Sequence, residues 1–310
     1  MNMKLFKNDF LLILAAVIWG LAFTAQRIGM NYIGPFTYNG VRFFLGSFSL
    51  VPLIYLGIQA EKKKAGHLPK SGSFFSTVNE GRTMLYGAAA GIILFLGSSL
   101  QQIGLLYTTA GKAGFITGMY VIIVPFIGIF LGQRAGRSGW MGAVMSVIGL
   151  YFLSIKGNIT IGKGDLLVLV SAFFWASHVV AISLFSPRVD TLRLAFYQYL
   201  FCGFMSMGTA FAIEDVRLGG ILEAWIPIFY GGVFSVGVAY TLQVYAQKKV
   251  HPAHAAIILS LEGVFAVIGG WLILSETLSM KGVLGCVLML GGMIVSQAPV
   301  IFQKQRQPRT

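Results

Sequence analysis

Long apolar runs separated by short polar segments dominate the chain. Ten runs approach the roughly 20 residues that an α-helix needs to cross the hydrocarbon core of a bilayer. The pattern therefore predicts an all-α integral membrane protein with ten transmembrane helices. The predicted spans are Phe10–Met30, Phe36–Gly57, Thr83–Leu106, Gly114–Leu131, Gly139–Ile155, Leu166–Phe185, Leu192–Ile213, Trp225–Ala246, Ala253–Leu274 and Gly282–Val300.

The composition agrees with this interpretation. The 310 residues are 56% hydrophobic and 11% charged, whereas charged residues make up about a quarter of a typical soluble domain. A soluble domain has no interior large enough for so much apolar surface, but lipid accepts apolar side chains on the outside of a helix bundle. The lipid bilayer is therefore the expected surrounding partner.

The net charge of +13 raises the question of nucleic-acid binding. Such binding needs basic residues gathered on one face, whereas here they lie in short clusters between apolar runs, so no nucleic-acid partner is expected. Basic loops stay on the cytoplasmic side of a membrane. With a cytoplasmic N-terminus, 16 of the 23 Lys and Arg residues fall on that side. The opposite side receives five, namely Lys112, Lys156, Lys163, Arg217 and Lys281. The bias predicts a multi-pass protein of the cell (plasma or inner) membrane with both termini, including the basic tail 301–310, in the cytoplasm.

The two halves of the chain are related by an internal repeat. At an offset of 156 residues, Leu11, Ala16, Trp19, Ala25 and Arg42 correspond to Leu167, Ala172, Trp175, Ala181 and Gln198. At an offset of 143, Ala110, Ala113, Val121, Gly142, Val144 and Gly149 correspond to Ala253, Ala256, Val264, Gly285, Val287 and Gly292. Each register holds without gaps through a long block.

The repeat predicts two five-helix units, residues 1–155 and 156–300. Because five is odd, the second unit must enter the membrane from the opposite side. Inverted repeats are typical of secondary transporters, in which the substrate site lies between the units near the bilayer midplane.

Several stretches also resemble a known family. The runs LAAVIWGLAF, NGVRFFLGSFSLVPL and GKAGFITGMYVIIVPFIG in the first half, and AHAAIILSLEGVFAVIGGWLILSETLS and GVLGCVLMLGGMIVS in the second, are similar to the EamA repeats of the drug/metabolite transporter superfamily. The resemblance covers about Phe10 to Ser296. It implies ten helices, cytoplasmic termini and export or exchange of amino acids and other small metabolites through a cavity between the halves. The chain departs from the family pattern where Gly263 replaces the usual proline and Gln133 the usual acid.

Two charged residues are predicted deep in the membrane. Arg42 lies about 9 Å below the outer end of its span and Glu262 roughly 13 Å from the inner end of its own, at a rise of 1.5 Å per residue. Charges at such depth are costly and often functional. Arg42 is a candidate counter-charge for an anionic substrate group, and Glu262 a candidate proton- or cation-coupling site. The structural alternatives are a pair between the two, or Glu262 capping a helix break at Gly263.

Aromatic and amide side chains complete the predicted substrate site. Trp19 and Trp175 are repeat equivalents near the midplane, although tryptophan normally concentrates at the membrane interface. His178 follows Trp175 by one helical turn. Four amide side chains lie on the third and eighth spans, namely Gln101, Gln102, Gln243 and Gln247. Of these, Gln101 and Gln243 are predicted to bind substrate. For each, ordinary packing or hydrogen bonding between helices is the alternative explanation.

Other chemistry is sparse in the sequence. His251 and His254 have a metal-like spacing but no nearby carboxylate or thiol partner, and Cys202 and Cys286 form no CxxC pair. No cofactor or metal is expected. The sequence therefore predicts a secondary transporter, not an enzyme, that exports a small organic metabolite such as an amino acid, with proton or cation coupling open and the oligomeric state unassigned. The alternatives are a membrane-embedded enzyme that uses Glu262 and His178, and an uncoupled facilitator or scaffold.

The predicted topology can be tested by cysteine labelling. In a background that lacks Cys202 and Cys286, single cysteines at Ser71 and at Gly219 are expected to react with an impermeant thiol reagent from opposite sides of the membrane. Labelling of both positions from one side would contradict the inverted repeat.

Overall fold

A computed structural model describes residues 3–65, 80–130, 137–154, 162–250 and 252–303. Within these ranges every regular element is a helix. Gln133, His251 and the labelling site Ser71 lie outside the described residues. The all-helical class predicted from the apolar pattern is therefore the observed one.

Seven α-helices are described in the first half of the chain. They are α1 (Met3–Gly29), α2 (Pro35–Ser49), α3 (Val51–Ala65), α4 (Glu80–Gly104), α5 (Ala110–Gly118), α6 (Tyr120–Phe130) and α7 (Arg137–Ser154). Pro35 opens α2 at a position where its missing N–H costs no hydrogen bond. The Thr109 hydroxyl accepts from the Lys112 N–H and caps α5.

The second half contains eight α-helices and a long π-helix. They are α8 (Lys163–Phe185), α9 (Thr191–Ile213), α10 (Leu218–Glu223), α11 (Trp225–Phe229), the π-helix (Tyr230–Tyr240), α12 (Thr241–Gln247), α13 (Pro252–Leu259), α14 (Glu262–Leu274) and α15 (Met280–Gln303). A short 3-10 turn, Ser186–Arg188, follows α8.

Seven described helical stretches are long and apolar enough to cross a membrane. They begin at Lys7, Pro35, Glu80, Ala110, Lys163, Trp225 and Pro252. The other three predicted spans fall on α7, α9 and α15. Large apolar side chains cover the outside of the bundle, for example Phe130, which is 91% exposed, as expected for a surface in contact with lipid. The protein is therefore an integral membrane protein with several apolar helices.

Two spans are broken near their middle, and the breaks contact each other. One span divides into α5 and α6 at Met119, and another into α13 and α14 at Ser260 and Leu261. Met119 corresponds to Glu262 at the 143-residue offset. A Cβ on Gly118 would lie 3.5 Å from the Ser260 carbonyl oxygen. The two interruptions are tight turns with right-handed helical backbone, and they meet inside the bundle.

Helices α7 and α15 pack with their backbones in contact. A Cβ on Gly285 would lie 2.6 Å from the Gly149 carbonyl oxygen, and a Cβ on Gly292 would lie 2.6 Å from the Gly142 carbonyl oxygen. Only glycine fits at such separations. Small residues allow this close approach between membrane helices, where van der Waals packing provides much of the attraction.

This packing predicts a stability effect. Gly285→Ala is expected to lower the free energy of unfolding by about 1–3 kcal/mol, because the added methyl group forces the two backbones apart. The control is Gly208→Ala on α9, where nothing lies within 4 Å of the added Cβ. Thermal unfolding in detergent would measure both variants. Equal melting temperatures in the two would contradict the backbone contact.

Candidate functional site

A buried cavity lies in the middle of the bundle, bounded by helices from both halves of the chain. The six side chains predicted to bind substrate line it, namely Trp19, Arg42, Gln101, Trp175, His178 and Gln243, and so does the predicted coupling residue Glu262. They come from α1, α2, α4, α8, α12 and α14. Residues that are far apart in the sequence thus converge on one space.

The cavity is small in this conformation. Its volume is about 40 Å³. One water molecule needs roughly 10–15 Å³ by this kind of measure, so the cavity has room for a few waters. Pockets for drug-sized ligands usually measure about 300–1,000 Å³. A metabolite would therefore enter only after the surrounding helices move apart.

Eight further residues complete the lining: Phe23, Gln26, Thr117, Tyr120, Val179, Ser235, Tyr240 and Leu259. The sequence analysis selected none of them. Tyr240 is the most central, at the end of the π-helix. π-Helical segments are frequent at functional sites because they change which residues face inward. Tyr240 precedes the predicted Gln243 by three residues, a spacing that puts two side chains on one helix face. This spacing was the signal in the sequence that could have identified Tyr240.

Tyr240 forms the aromatic centre of the cavity wall. Its ring centroid is 4.5 Å from that of Trp19 and 6.1 Å from that of Trp175, with the Trp175 ring nearly parallel. It also makes an edge contact with His178 at 6.1 Å. The two repeat-equivalent tryptophans therefore share one aromatic neighbour.

The two tryptophans differ in their hydrogen bonding. The Trp19 indole N–H donates to the Ser235 carbonyl oxygen at 3.1 Å. The Trp175 indole N–H is buried and has no hydrogen-bond partner in the described part of the chain. Trp19 is thus held by the opposite half of the chain, as the packing alternative expected, whereas the Trp175 ring lines the cavity without such a bond.

Arg42 is 2% exposed, although it carries a full charge. Its guanidinium carbon lies 5.3 Å from the Tyr38 ring centroid and 4.9 Å from the Phe43 centroid, which stabilises the cation through its attraction to the ring faces. Its Nε atom has no hydrogen-bond partner. The Arg42–Glu262 ion pair considered as an alternative is not found among the ion pairs of the described residues.

Glu262 is the first residue of α14 and is 5% exposed. It follows the break after α13. This position is compatible with both hypotheses for Glu262, namely a cap of the helix break and a coupling site. The Tyr120 hydroxyl lies beside its carboxylate. A carboxylate at a helix N-terminus is stabilised by the unpaired N–H groups and dipole of the helix. The first N–H groups of α14 already donate to the Ser260 and Leu261 carbonyl oxygens, so only the dipole of the helix is available to the Glu262 carboxylate.

His178 has a partner in the protein. Its Nε2 atom lies 2.9 Å from the amide oxygen of Gln198, the repeat equivalent of Arg42. Its ring meets Trp175 edge-on at 6.3 Å, which confirms the shared helix face expected from the sequence. The histidine therefore lines the cavity while one ring nitrogen is already hydrogen-bonded.

The four glutamines divide into two pairs. Gln102 and Gln247 donate to the backbone carbonyls of Gln26 and Val179, at 3.3 and 3.4 Å. Gln101 and Gln243 line the cavity, and Gln101 Nε2 donates to the side-chain oxygen of Gln26 at 3.2 Å. The side-chain oxygens of all four glutamines are buried and have no hydrogen-bond partner among the described residues. The selected pair therefore offers acceptors to the cavity.

The residues considered for metal chemistry are engaged elsewhere. His254 lies 2.9 Å from the Asp9 carboxylate, and Cys202 and Cys286 are free and buried. Across the described ranges, no group of three or more His, Cys, Asp or Glu side chains has the arrangement of a metal site.

Comparisons with known proteins bear on this architecture. The sequence model of the EamA-like transporter family matches residues 6–155 and 162–297. An uncharacterized transporter of Archaeoglobus fulgidus is 31% identical over 93% of this chain and 84% of its own. The uncharacterized transporter YoaV of Bacillus subtilis is 24% identical, over 92% and 94% of the two chains.

A more distant relative and a solved structure are also similar to this chain over most of its length. A chloroplastic WAT1-related protein of Arabidopsis thaliana is 24% identical over 88% of this chain and 65% of its own. A solved structure with 17% sequence identity has a TM-score of 0.65 and covers 94% of this chain and 98% of its own, which indicates a shared fold. The two family matches together span most of the sequence, and on that ground the chain belongs to the EamA-like transporter family.

Proposed function

We propose that this protein is a secondary transporter that exports a small organic metabolite, such as an amino acid, by alternating access between two inverted five-helix repeats. Family membership supports a membrane transporter. The observation that carries the finer proposal is the central cavity, which both halves line and which holds a buried cation, a buried acid and unpaired polar atoms.

Pseudo-symmetric contacts support the inverted repeat with its units at 1–155 and 156–300. Asp9 corresponds to Asp165 at the 156-residue offset. Asp9 contacts His254 at 2.9 Å, and Asp165 contacts Lys112 at 3.2 Å. Each aspartate, at the start of the first helix of one half, thus pairs with the start of the fourth span of the other half. Inversion would place these two pairs at opposite ends of the bundle.

The glycine contacts between α7 and α15 also form a pair that is related by the repeat. At the 143-residue offset Gly142 corresponds to Gly285 and Gly149 to Gly292. Exchanging the repeats converts the Gly149–Gly285 contact into the Gly292–Gly142 contact, and both occur. This pairing favours a pseudo-twofold axis that passes between the two helices. Together with the distribution of basic residues, it supports ten spans with both termini in the cytoplasm.

The chemistry of the cavity supports a polar substrate with an apolar part. Buried polar atoms are normally hydrogen-bonded, yet the Trp175 N–H and the side-chain oxygens of Gln101 and Gln243 have no protein partner. A ligand with both donors and acceptors would satisfy them. Arg42 and Glu262 would attract groups of opposite charge, and the aromatic wall would hold an apolar side chain. An amino acid combines all three features.

The sequence placed Arg42 nearer the outer mouth, where it would act on an anionic group during entry or release. The structure puts Arg42 on the wall of the same cavity as the two tryptophans. In the proposed mechanism its guanidinium therefore holds the anionic group in the occluded state as well.

Glu262 is proposed to couple transport to a proton or cation gradient. Glu262→Gln keeps the size of the side chain but removes its charge, so it is expected to abolish accumulation driven by a pH gradient while counterflow stays measurable. The assay uses proteoliposomes with a panel of radiolabelled amino acids and other metabolites. Glu223→Gln, at an exposed position outside the cavity, is the matched control. Undiminished gradient-driven accumulation in Glu262→Gln would favour the uncoupled facilitator.

The tryptophans provide a paired test of the substrate site. Trp175→Leu is expected to weaken substrate binding up to about tenfold, because an aromatic contact is worth about 0.5–1.5 kcal/mol, with little change in melting temperature. Trp19→Leu also breaks the bond to Ser235 and is expected to lower stability as well. Equilibrium binding and thermal unfolding of both variants would measure this. Wild-type affinity in both variants would exclude the tryptophans from the site.

A further inference from the structure

Glu214 links the two halves of the chain at the start of α2. It directly follows α9 and belongs to the second half. Its carboxylate accepts hydrogen bonds from the Phe36 N–H at 2.8 Å, and from the N–H and hydroxyl of Thr37, each at 2.7 Å. These N–H groups have no partner within α2, since the first turn of a helix leaves its donors free. An acid of one half therefore caps a helix of the other.

Glu276 makes an equivalent link to α5. It lies beyond the end of α14, and its carboxylate accepts from the Ala110 N–H at 2.8 Å and the Gly111 N–H at 3.1 Å. The preceding residue, Ser275, has a φ of 54° and is the single non-glycine residue with positive φ in the described part of the chain. Such a backbone is strained for a residue with a side chain. The strain is tolerated where it directs Glu276 onto the end of α5.

Both capped helices carry residues of the central cavity. Helix α2 carries Arg42 and α5 carries Thr117, and both side chains line the cavity. In the proposed topology, the starts of α2 and α5 and the ends of α9 and α14 all lie at the outer face. The two carboxylates therefore join the halves directly above the cavity on the outer side.

The first half has no corresponding acids. The positions equivalent to Glu214 and Glu276, at offsets of 156 and 143, are Ile58 and Gln133. Inversion places these two uncharged positions toward the cytoplasmic face. Carboxylates that cap a helix of the other half are therefore found at the outer face, whereas on the cytoplasmic side of the proposed topology the halves are joined by the Asp9–His254 and Glu80–Arg193 pairs.

We propose that Glu214 and Glu276 are the outer gate of this transporter. Each closes the cavity by binding the N-terminus of a first-half helix, and both bonds break when the cavity opens outward. The released N–H groups and carboxylates then meet water, which hydrogen-bonds both, so the opening is reversible. This gate rests on the proposed alternating-access function. It names the contacts that close the cavity on its outer side.

Accessibility of the cavity tests the gate without a substrate. The reporter is Thr117→Cys in a background of Cys202→Ala and Cys286→Ala. Right-side-out and inside-out vesicles receive an impermeant thiol reagent. Adding Glu214→Gln and Glu276→Gln together is expected to raise the outside labelling rate about tenfold, the factor that corresponds to roughly 1.4 kcal/mol, and to lower the rate from the cytoplasmic side. The opposite changes on the two sides separate opening of a gate from general loosening.

The control combines Asp215→Asn and Glu223→Gln. It removes the same number of negative charges from the outer side of the proposed topology, but Asp215 pairs locally with Arg217 and Glu223 is exposed. The control is expected to label like the parent. An unchanged outside rate in the Glu214/Glu276 variant, equal increases on both sides, or the same increase in the control would overturn the gate. Because no substrate is added, a failure to find transport would count against the proposed function and would leave the labelling result to decide the gate.

Discussion

The structure depends on one constraint, which is that lipid offers no hydrogen-bond partner to a polar group. Every described span is helical because a helix satisfies its backbone internally. Polar side chains at depth are bonded to one another or to carbonyl oxygens, as the pairs of His178 with Gln198 and of Trp19 with Ser235 show. Other buried donors and acceptors have no hydrogen-bond partner within the described ranges, and six of these atoms belong to side chains that line the central cavity.

The same constraint explains where the acids lie. Two of the acids cap a helix from another part of the chain: Glu214 caps α2 and Glu276 caps α5. Glu80 instead contacts Arg193 and the Tyr197 hydroxyl. Free N–H groups and basic side chains at helix ends are the places in a membrane protein where a carboxylate is stabilised. Glu262 also lies at the start of a helix, α14, but its side chain lines the central cavity.

The features that could be predicted from the sequence are those that leave a periodic pattern, a charge distribution or an internal repeat in it. The apolar runs indicated the helices, and seven of the predicted spans fall on described helical stretches that are long and apolar enough to cross a membrane. Repeat symmetry and depth selected seven side chains that the fold brings to one cavity. Tyr240 was not selected because an ordinary apolar helix was expected where the chain forms a π-helix, which changes the residues that face inward. The carboxylate caps were missed because they depend on contacts across about 165–180 residues of sequence, and no local pattern reports such contacts. The different roles of Trp19 and Trp175 follow from Ser235, whose carbonyl oxygen is near only one of two equivalent rings.

The glycine contacts between α7 and α15 have a mechanical consequence. Two helices whose backbones touch at two separate points resist sliding past each other, because any shift brings a peptide group against a peptide group. The two helices then form one rigid unit, to which each half contributes one helix. In the proposed alternating-access mechanism, the central cavity would then rearrange by tilting of the remaining helices about this pair, which would act as a fixed pivot.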